Sequence, residues 1–351
     1  VRECFEESGL LFAQDAQQHL VNLDGLSAGG LAAMRAAAAA GTDALLAMCR
    51  ERGWQLAVDR LAYFAHWLTP PGMPRRFDTR FFVAAVPPGQ AVEVDRVEIA
   101  EHSWLRPEDA LDPARRLKLM NVQRRILQQL AQFASVGECL AHARALRDVV
   151  LNMPRVAAGP GGPRPVNIEE PAHAEIGYVD PDGQGHARHT LEAGLVLRLS
   201  QRVVRVTGRH ADAPGAHSYF VGSGDDGPWA LIDPQAEDAA HLQALRAAAP
   251  GPVRWLLSTA GALPEGSAAQ ALRAAWPGAE YTSLAAGEQL LLGDVVLHVI
   301  APAGNAAGAR GFLLLPEGML LAGSAEWALD DLPGQVAWLA PAQGFLQPVR
   351  R

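Results

Sequence analysis

The stretch Arg2-Glu3-Cys4-Phe5-Glu6-Glu7-Ser8-Gly9-Leu10 holds the residues of this chain best suited to chemistry. Read as a helix, it sets Glu3, Glu6 and Glu7 at i, i+3 and i+4, so three carboxylates share one face a turn apart. Like charges at that spacing repel, and a divalent cation relieves the repulsion. Hard Mg2+ or Mn2+ prefers oxygen ligands and is commonly held by carboxylates together with substrate phosphates. Arg2 is placed to pin one carboxylate, and Gly9 stops the helix as C-terminal glycines do. A solvated acidic face ending in an ordinary glycine has the same spacing, and spacing alone leaves both readings open. Arg75, Arg76 and Arg80 suit phosphate oxygens, because guanidinium forks match them; a surface pair of Arg76 with Asp78 is the alternative. Glu98 or Glu101 offers a further carboxylate near the end of an expected strand, or an exposed strand-end glutamate.

The second half offers no comparable cluster. His186, His189, His210, His217, His241 and His298 are scattered without an HxH or HxxxH pair, and His298 sits in the apolar run 295–300 as a structural residue. Asp233 follows Ala230-Leu231-Ile232, a strand-end carboxylate of the kind that faces a cleft in α/β folds.

These residues need elements to position them. Helices are expected at 1–7, 31–52, 54–62 and from Pro107 to about Leu151, with strands at 65–70, 79–86 and 98–105. From Asn152 to Leu191, prolines and glycines crowd a polar stretch, read as a linker or an irregular extension. Strands at 195–207, 218–221, 230–232, 253–258, 289–301, 311–315 and 319–322 follow, with helices at 237–249 and 267–276 between them, the alternation of an α/β domain. The expected organisation is a first domain at 1–151, a linker at 152–194 and a second domain at 195–351, in a mixed α/β and α+β class.

Composition narrows the function. The 351 residues are 49% hydrophobic and carry 30 Lys+Arg against 38 Asp+Glu, a net charge of -8, which provides no basic field for nucleic acid. The apolar stretch 31–49 is interrupted by Arg35 and Asp43 and reads as a helix, so no membrane anchor is expected. Cys4, Cys49 and Cys139 form no CxxC pair, which fits a reducing cytoplasm.

The segment from Arg2 to Leu10 resembles the second half of the Nudix box, R-E-U-x-E-E-x-G-U, with Cys4 and Leu10 at apolar positions. The stretch Trp67-Leu68-Thr69-Pro70 through Arg75-Arg76-Phe77-Asp78-Thr79-Arg80-Phe81-Phe82 resembles the branch of Nudix hydrolases that includes acyl-CoA diphosphatases, as do 101–105 and 107–111. The resemblance covers about residues 1–150. It implies a Nudix α/β/α sandwich that hydrolyses a nucleoside diphosphate-linked, CoA-type substrate by metal-assisted attack of water. Glu6 and Glu7 would be the main Mg2+ or Mn2+ ligands, and Glu3 a further ligand or the group orienting the water. Arg2 would be a structural partner, and Glu98 or Glu101 an outside carboxylate. The G-x5-E half of the box is absent, so the sandwich is expected to be partial, from a longer bacterial protein or a decayed domain.

The later elements resemble the metallo-β-lactamase fold, an αβ/βα sandwich. Gly215-Ala216-His217-Ser218-Tyr219-Phe220-Val221-Gly222 is similar to G-T-N-T-Y-L-V-G and Ile232-Asp233-Pro234 to I-D-P. Where the family has metal ligands, this chain has Thr259, Gly261, Leu263, Pro264, Asn305, Ser324 and Gln343. These side chains are poor zinc ligands or none, so no dinuclear zinc and no catalysis is expected there. The competing reading is a non-enzymatic binding or scaffold protein.

Overall fold

The computed structural model describes residues 1–94, 101–210, 213–262, 264–304 and 308–350. Two compact units divide the chain: Val1–Leu68 with Phe77–Asn152, and Thr69–Arg76 with Met153–Arg351.

The first unit opens with α1 (Arg2–Ser8), whose Phe5 is buried and whose end is set by Gly9, left-handed at φ 74° with its N–H on the Phe5 carbonyl. Strand β1 (Ala13–Gln14) leads to α2 (Ala28–Ala39), capped by Ser27 Oγ accepting from the Gly30 N–H, and α3 (Thr42–Glu51). The single helix expected at 31–52 is therefore two, because Gly41 at φ 125° breaks it. Trp54–Ala62, expected to be helical, instead forms β2 (Gln55–Leu56), which pairs with β1, and a 3-10 turn at Val58–Arg60. Cross-strand pairing overrides a weak helical period there. Phe5, Leu11, Val21, Met34, Leu45 and Cys49 bury one core.

Strands β3 (Ala62–Leu68) and β4 (Asp78–Val83) are antiparallel, with His66 opposite Arg80. Helices α4 (Pro107–Leu111), α5 (Asn121–Leu130) and α6 (Val136–Ala145) follow, and β5 (Leu151–Asn152) runs parallel to β3. Phe64, Ala65 and Trp67 pack on Cys139 and Ala143 of α6 in a second core. The strand expected at 98–105 falls partly outside the described residues, and 101–105 form neither helix nor strand.

In the second unit a hairpin, β6 (Arg155–Ala157) and β7 (Arg164–Val166), precedes α7 (Ala172–Val179). Thus 152–194, expected as a linker or extension, holds regular elements, and its Ala157, Val166, Ala172, Ile176 and Ala187 bury a small core against which Phe345 packs. Next come β8 (Val196–Arg198), β9 (Val203–His210), β10 (Ala213–Gly222), β11 (Trp229–Ile232), α8 (Ala239–Ala248), β12 (Val253–Leu257), α9 (Gly266–Ala275) and β13 (Glu280–Tyr281). They are followed by β14 (Gln289–Leu292), β15 (Val295–Ile300), β16 (Gly311–Leu315), β17 (Met319–Gly323), β18 (Trp338–Pro341) and β19 (Gln347–Pro348).

Two six-stranded sheets result, in the orders β13-β12-β11-β10-β9-β8 and β14-β15-β16-β17-β18-β19. Alternate residues of both meet in one core, where Val203, Tyr219, Val221 and Ile232 of the first sheet pack with Leu297, Val299, Phe312 and Leu321 of the second. Leu245 of α8 and Leu272 of α9 pack on the other face of the first sheet, against Val206, Phe220 and Leu231. On the other face of the second sheet, Leu313 and Leu320 pack with Leu332 and Val336 of an irregular segment. The architecture is mixed α/β.

Candidate functional site

In the first unit, α1 carries Arg2, Glu3, Glu6 and Glu7, oriented by Phe5, whose burial fixes which side of the helix is left for the charges. Arg2 Nη1 donates to Glu6 Oε2 and Arg2 Nη2 to Glu3 Oε1 at 2.8 Å, so one guanidinium bridges two of the three carboxylates. Glu6 is the more enclosed: its side chain is 33% exposed against 73% for Glu3. Arg35 Nη2, from α2, donates to the Glu6 carbonyl at 2.7 Å and fixes the helix from its far side. Carboxylate oxygens on successive turns are the donors a hard divalent cation takes, so the residue types fit Mg2+ or Mn2+. Among the described residues, however, no three His, Cys, Asp or Glu side chains are drawn together in a way that could hold an ion.

The arginines expected to meet phosphate fall in different units. Arg80 lies on β4, with Nη1 3.5 Å from Asp78 Oδ2, and Asp78 also lies 2.5 Å from His66 Nε2. The His66 hydrogen bond, helped by Arg80, holds the Asp78 carboxyl below its ordinary range. Arg75 and Arg76 fall instead in the 69–76 segment, which belongs to the second unit. There Arg76 Nε donates to the Thr69 carbonyl at 2.9 Å. Glu98 lies outside the described residues, and Glu101 is exposed. The first unit also has an open cleft of about 650 Å3, lined by Phe82, Leu130, Phe133 and Leu140 together with Arg106, Glu108 and Ser135.

In the second unit, strand ends converge around Asp233. This residue adopts φ 51°, a left-handed conformation uncommon for a side chain with Cβ. Its Oδ1 accepts from the Thr259 N–H and its Oδ2 from the Thr259 hydroxyl, both at 2.7 Å. Burial pushes the Asp233 carboxyl up, against these bonds. Gly323, at the end of β17, abuts the same threonine: a Cβ there would lie 2.2 Å from Thr259 Oγ1. Beside it, Gly261 leaves room for Arg310, whose Nη2 would stand 2.7 Å from a Cβ at that position. Leu263 and Asn305 lie outside the described residues. His298 is half-buried on β15.

Several buried polar residues that sequence reasoning did not single out as site residues lie in this unit. Ser218 Oγ donates to the Asp233 carbonyl at 2.7 Å and lies 2.9 Å from His241 Nε2, while His217 Nε2 lies 2.8 Å from the Gly344 carbonyl. Burial, with Arg205 nearby, pushes His217 down to about 3. Arg205 and Glu175 form a fully buried bidentate pair at 2.6 and 2.8 Å. The available signal for Arg205 was a lone charge inside the apolar strand Val203-Val204-Arg205-Val206; nothing local marks Glu175 as its partner.

Comparison with known proteins shows what parts of the chain are similar to. A family model described as the NUDT19 Nudix domain matches residues 1–120. An acyl-coenzyme A diphosphatase NUDT19 of Xenopus laevis is 30% identical over 150 residues, 39% of this chain and 40% of the relative, so the match spans less than half of that protein's length. Among solved structures, a NUDIX hydrolase from Alicyclobacillus acidocaldarius is 24% identical, covering 40% of this chain and 62% of its own at a TM-score of 0.35. A beta-lactamase domain protein from Burkholderia ambifaria is 13% identical, covering 46% of this chain and 73% of its own at a TM-score of 0.36. Residues 1–120 are thus similar to the NUDT19 Nudix domain, and the similarity to the Xenopus diphosphatase extends over 150 residues.

Proposed function

We propose that the chain is a Nudix-type hydrolase that opens a diphosphate bond by attack of water, with α1 as the catalytic helix. The observation that carries this is the bridge from Arg2 to Glu6 and Glu3 on a helix lying inside the NUDT19 Nudix match. Glu3, Glu6 and Glu7 would hold Mg2+ or Mn2+, which, when bound, offsets phosphate charge and acidifies a water. The chain's own contribution is placement. Phe5 buries one side of the helix, Arg35 fixes the Glu6 backbone, and Arg2 holds two carboxylates against their mutual repulsion. Arg80, half exposed on β4 beside Asp78, is the proposed phosphate contact from the first unit. The cleft bordered by Phe82 and Phe133, with Arg106 at its edge, offers both apolar and charged surface to a CoA-type diphosphate such as an acyl-CoA, the substrate class in the Xenopus relative's name.

The second unit we read as a metallo-β-lactamase-like domain without catalysis. Thr259, Gly261 and Gly323 meet where strand ends converge, and hydroxyl and glycine groups there are no substitute for imidazole and carboxylate ligands. No nucleic-acid partner is part of this reading, and a cytoplasmic location is proposed from cysteine usage alone. Among the described residues no helix is long and apolar enough to cross a membrane.

The test is hydrolysis of acyl-CoA and other nucleoside diphosphate-linked compounds by the chain with Mg2+ or Mn2+, with release of two phosphomonoesters. The expected result is activity that falls at least a hundredfold in Glu7→Gln. Unchanged rates in both Glu6→Gln and Glu7→Gln would overturn the assignment.

A further inference from the structure

A second cavity, of about 380 Å3, lies in the second unit and is lined by Arg155, His173, Ala174, Gly177, Tyr178 and Trp338. Its size is at the small end of the range for ligand pockets. Arg155 projects from the β6–β7 hairpin and is under-used. Nη1 donates to the Pro181 carbonyl at 3.3 Å, while Nε is buried without a hydrogen-bond partner among the described residues. Asp180, whose charge acts on Arg155, makes its hydrogen bonds to the Gln184, Gly185 and His186 N–H groups at 2.7 to 3.0 Å. A guanidinium with open donors in a partly desolvated pocket is a fork for a carboxylate or phosphate.

Three further observations shape the ligand. Tyr178 and Trp338 stand with ring centroids 4.6 Å apart at 53°, giving the pocket an aromatic wall. Gly177 sits inside helix α7, where glycine is a poor helix former, and a Cβ there would lie 2.9 Å from Arg155 Cζ. The guanidinium is thus laid flat on the helix at a position that only glycine leaves open. His173, on the same helix, is held by its Nε2 donating to the Met153 carbonyl at 2.8 Å.

We propose that the Arg155–Trp338 pocket binds a small anion carrying a planar ring, its carboxylate or phosphate on Arg155 and its ring against Tyr178 and Trp338. The site lies wholly in the second unit and does not depend on diphosphate hydrolysis by α1. Calorimetric titration of the chain with phenyl phosphate and with benzoate tests it, and the tighter of the two identifies the anionic group. Inorganic phosphate and benzyl alcohol serve as controls lacking the ring and the charge. Submillimolar binding of at least one ring anion is expected, at least tenfold tighter than either control. Arg155→Gln should weaken it at least tenfold, and so should Gly177→Ala, whose methyl displaces the guanidinium; the second variant decides if the first does not fold. Glu7→Gln should bind like the parent chain. Failure of both ring anions to bind below 10 mM, or undiminished binding in the folded variants, would overturn the proposal.

Discussion

Arg205 is a full positive charge shut inside a sheet, and its two hydrogen bonds to Glu175, with a third to that carboxylate from the Leu346 N–H at 2.6 Å, make its burial tolerable. Removing one partner leaves the other charge uncompensated, at a typical cost of about 3 to 5 kcal/mol. Glu175→Gln should therefore lose about 3 kcal/mol in denaturant unfolding of the second unit; a loss within experimental error would contradict the account. His217 adds a pH dependence with a definite sign. Its folded value of about 3 lies below the ordinary 6.5, and His241 is pushed the same way by burial. Between those values the unfolded chain binds a proton that the folded chain refuses, so stability is full above pH 6.5 and falls as the pH drops toward 3. Asp233, raised by burial, opposes part of this trend. Thermal unfolding midpoints between pH 7 and 4 should fall less steeply in His217→Asn, whose amide can still donate to the Gly344 carbonyl; an identical slope would remove His217 from the account. At this scale the α1 cluster was legible because its members are neighbours in sequence. The Glu175–Arg205 pair was not, because its partners are 30 residues apart and only the fold joins them.

The elements that position these groups were readable where periodicity was strong and local. Strands β11, β12, β16 and β17 lie within a residue or so of their expected places, since buried apolar runs bounded by turns are unambiguous. The stretch 152–194 was opaque for the opposite reason: its prolines and glycines signal turns, while α7 is stabilised by packing of Ile176 and Ala172 that no local pattern announces. Gly323 shows how tightly an element end can be specified. It adopts φ 62°, and a side chain there would collide with Thr259. Gly323→Ala should cost about 3 kcal/mol, combining backbone strain with overpacking. A variant as stable as the parent in chemical denaturation would show that the Asp233–Thr259 corner yields more readily than its geometry implies.

Across the whole molecule, two units with separate sheets and cores carry different chemistry. The first holds acidic oxygen donors beside a guanidinium; the second holds threonine and glycine at its strand ends. Metal analysis of the purified chain should accordingly find fewer than two equivalents of zinc, and two equivalents lost on substitution of residues in the second unit would refute its non-catalytic reading. The central claim, that α1 is the catalytic helix of a diphosphate hydrolase, is tested most directly by one rate comparison. With Mg2+ present, the chain should convert acyl-CoA to two phosphomonoesters and Glu7→Gln should do so at least a hundredfold more slowly. Equal rates in the parent and in Glu7→Gln and Glu6→Gln would contradict it.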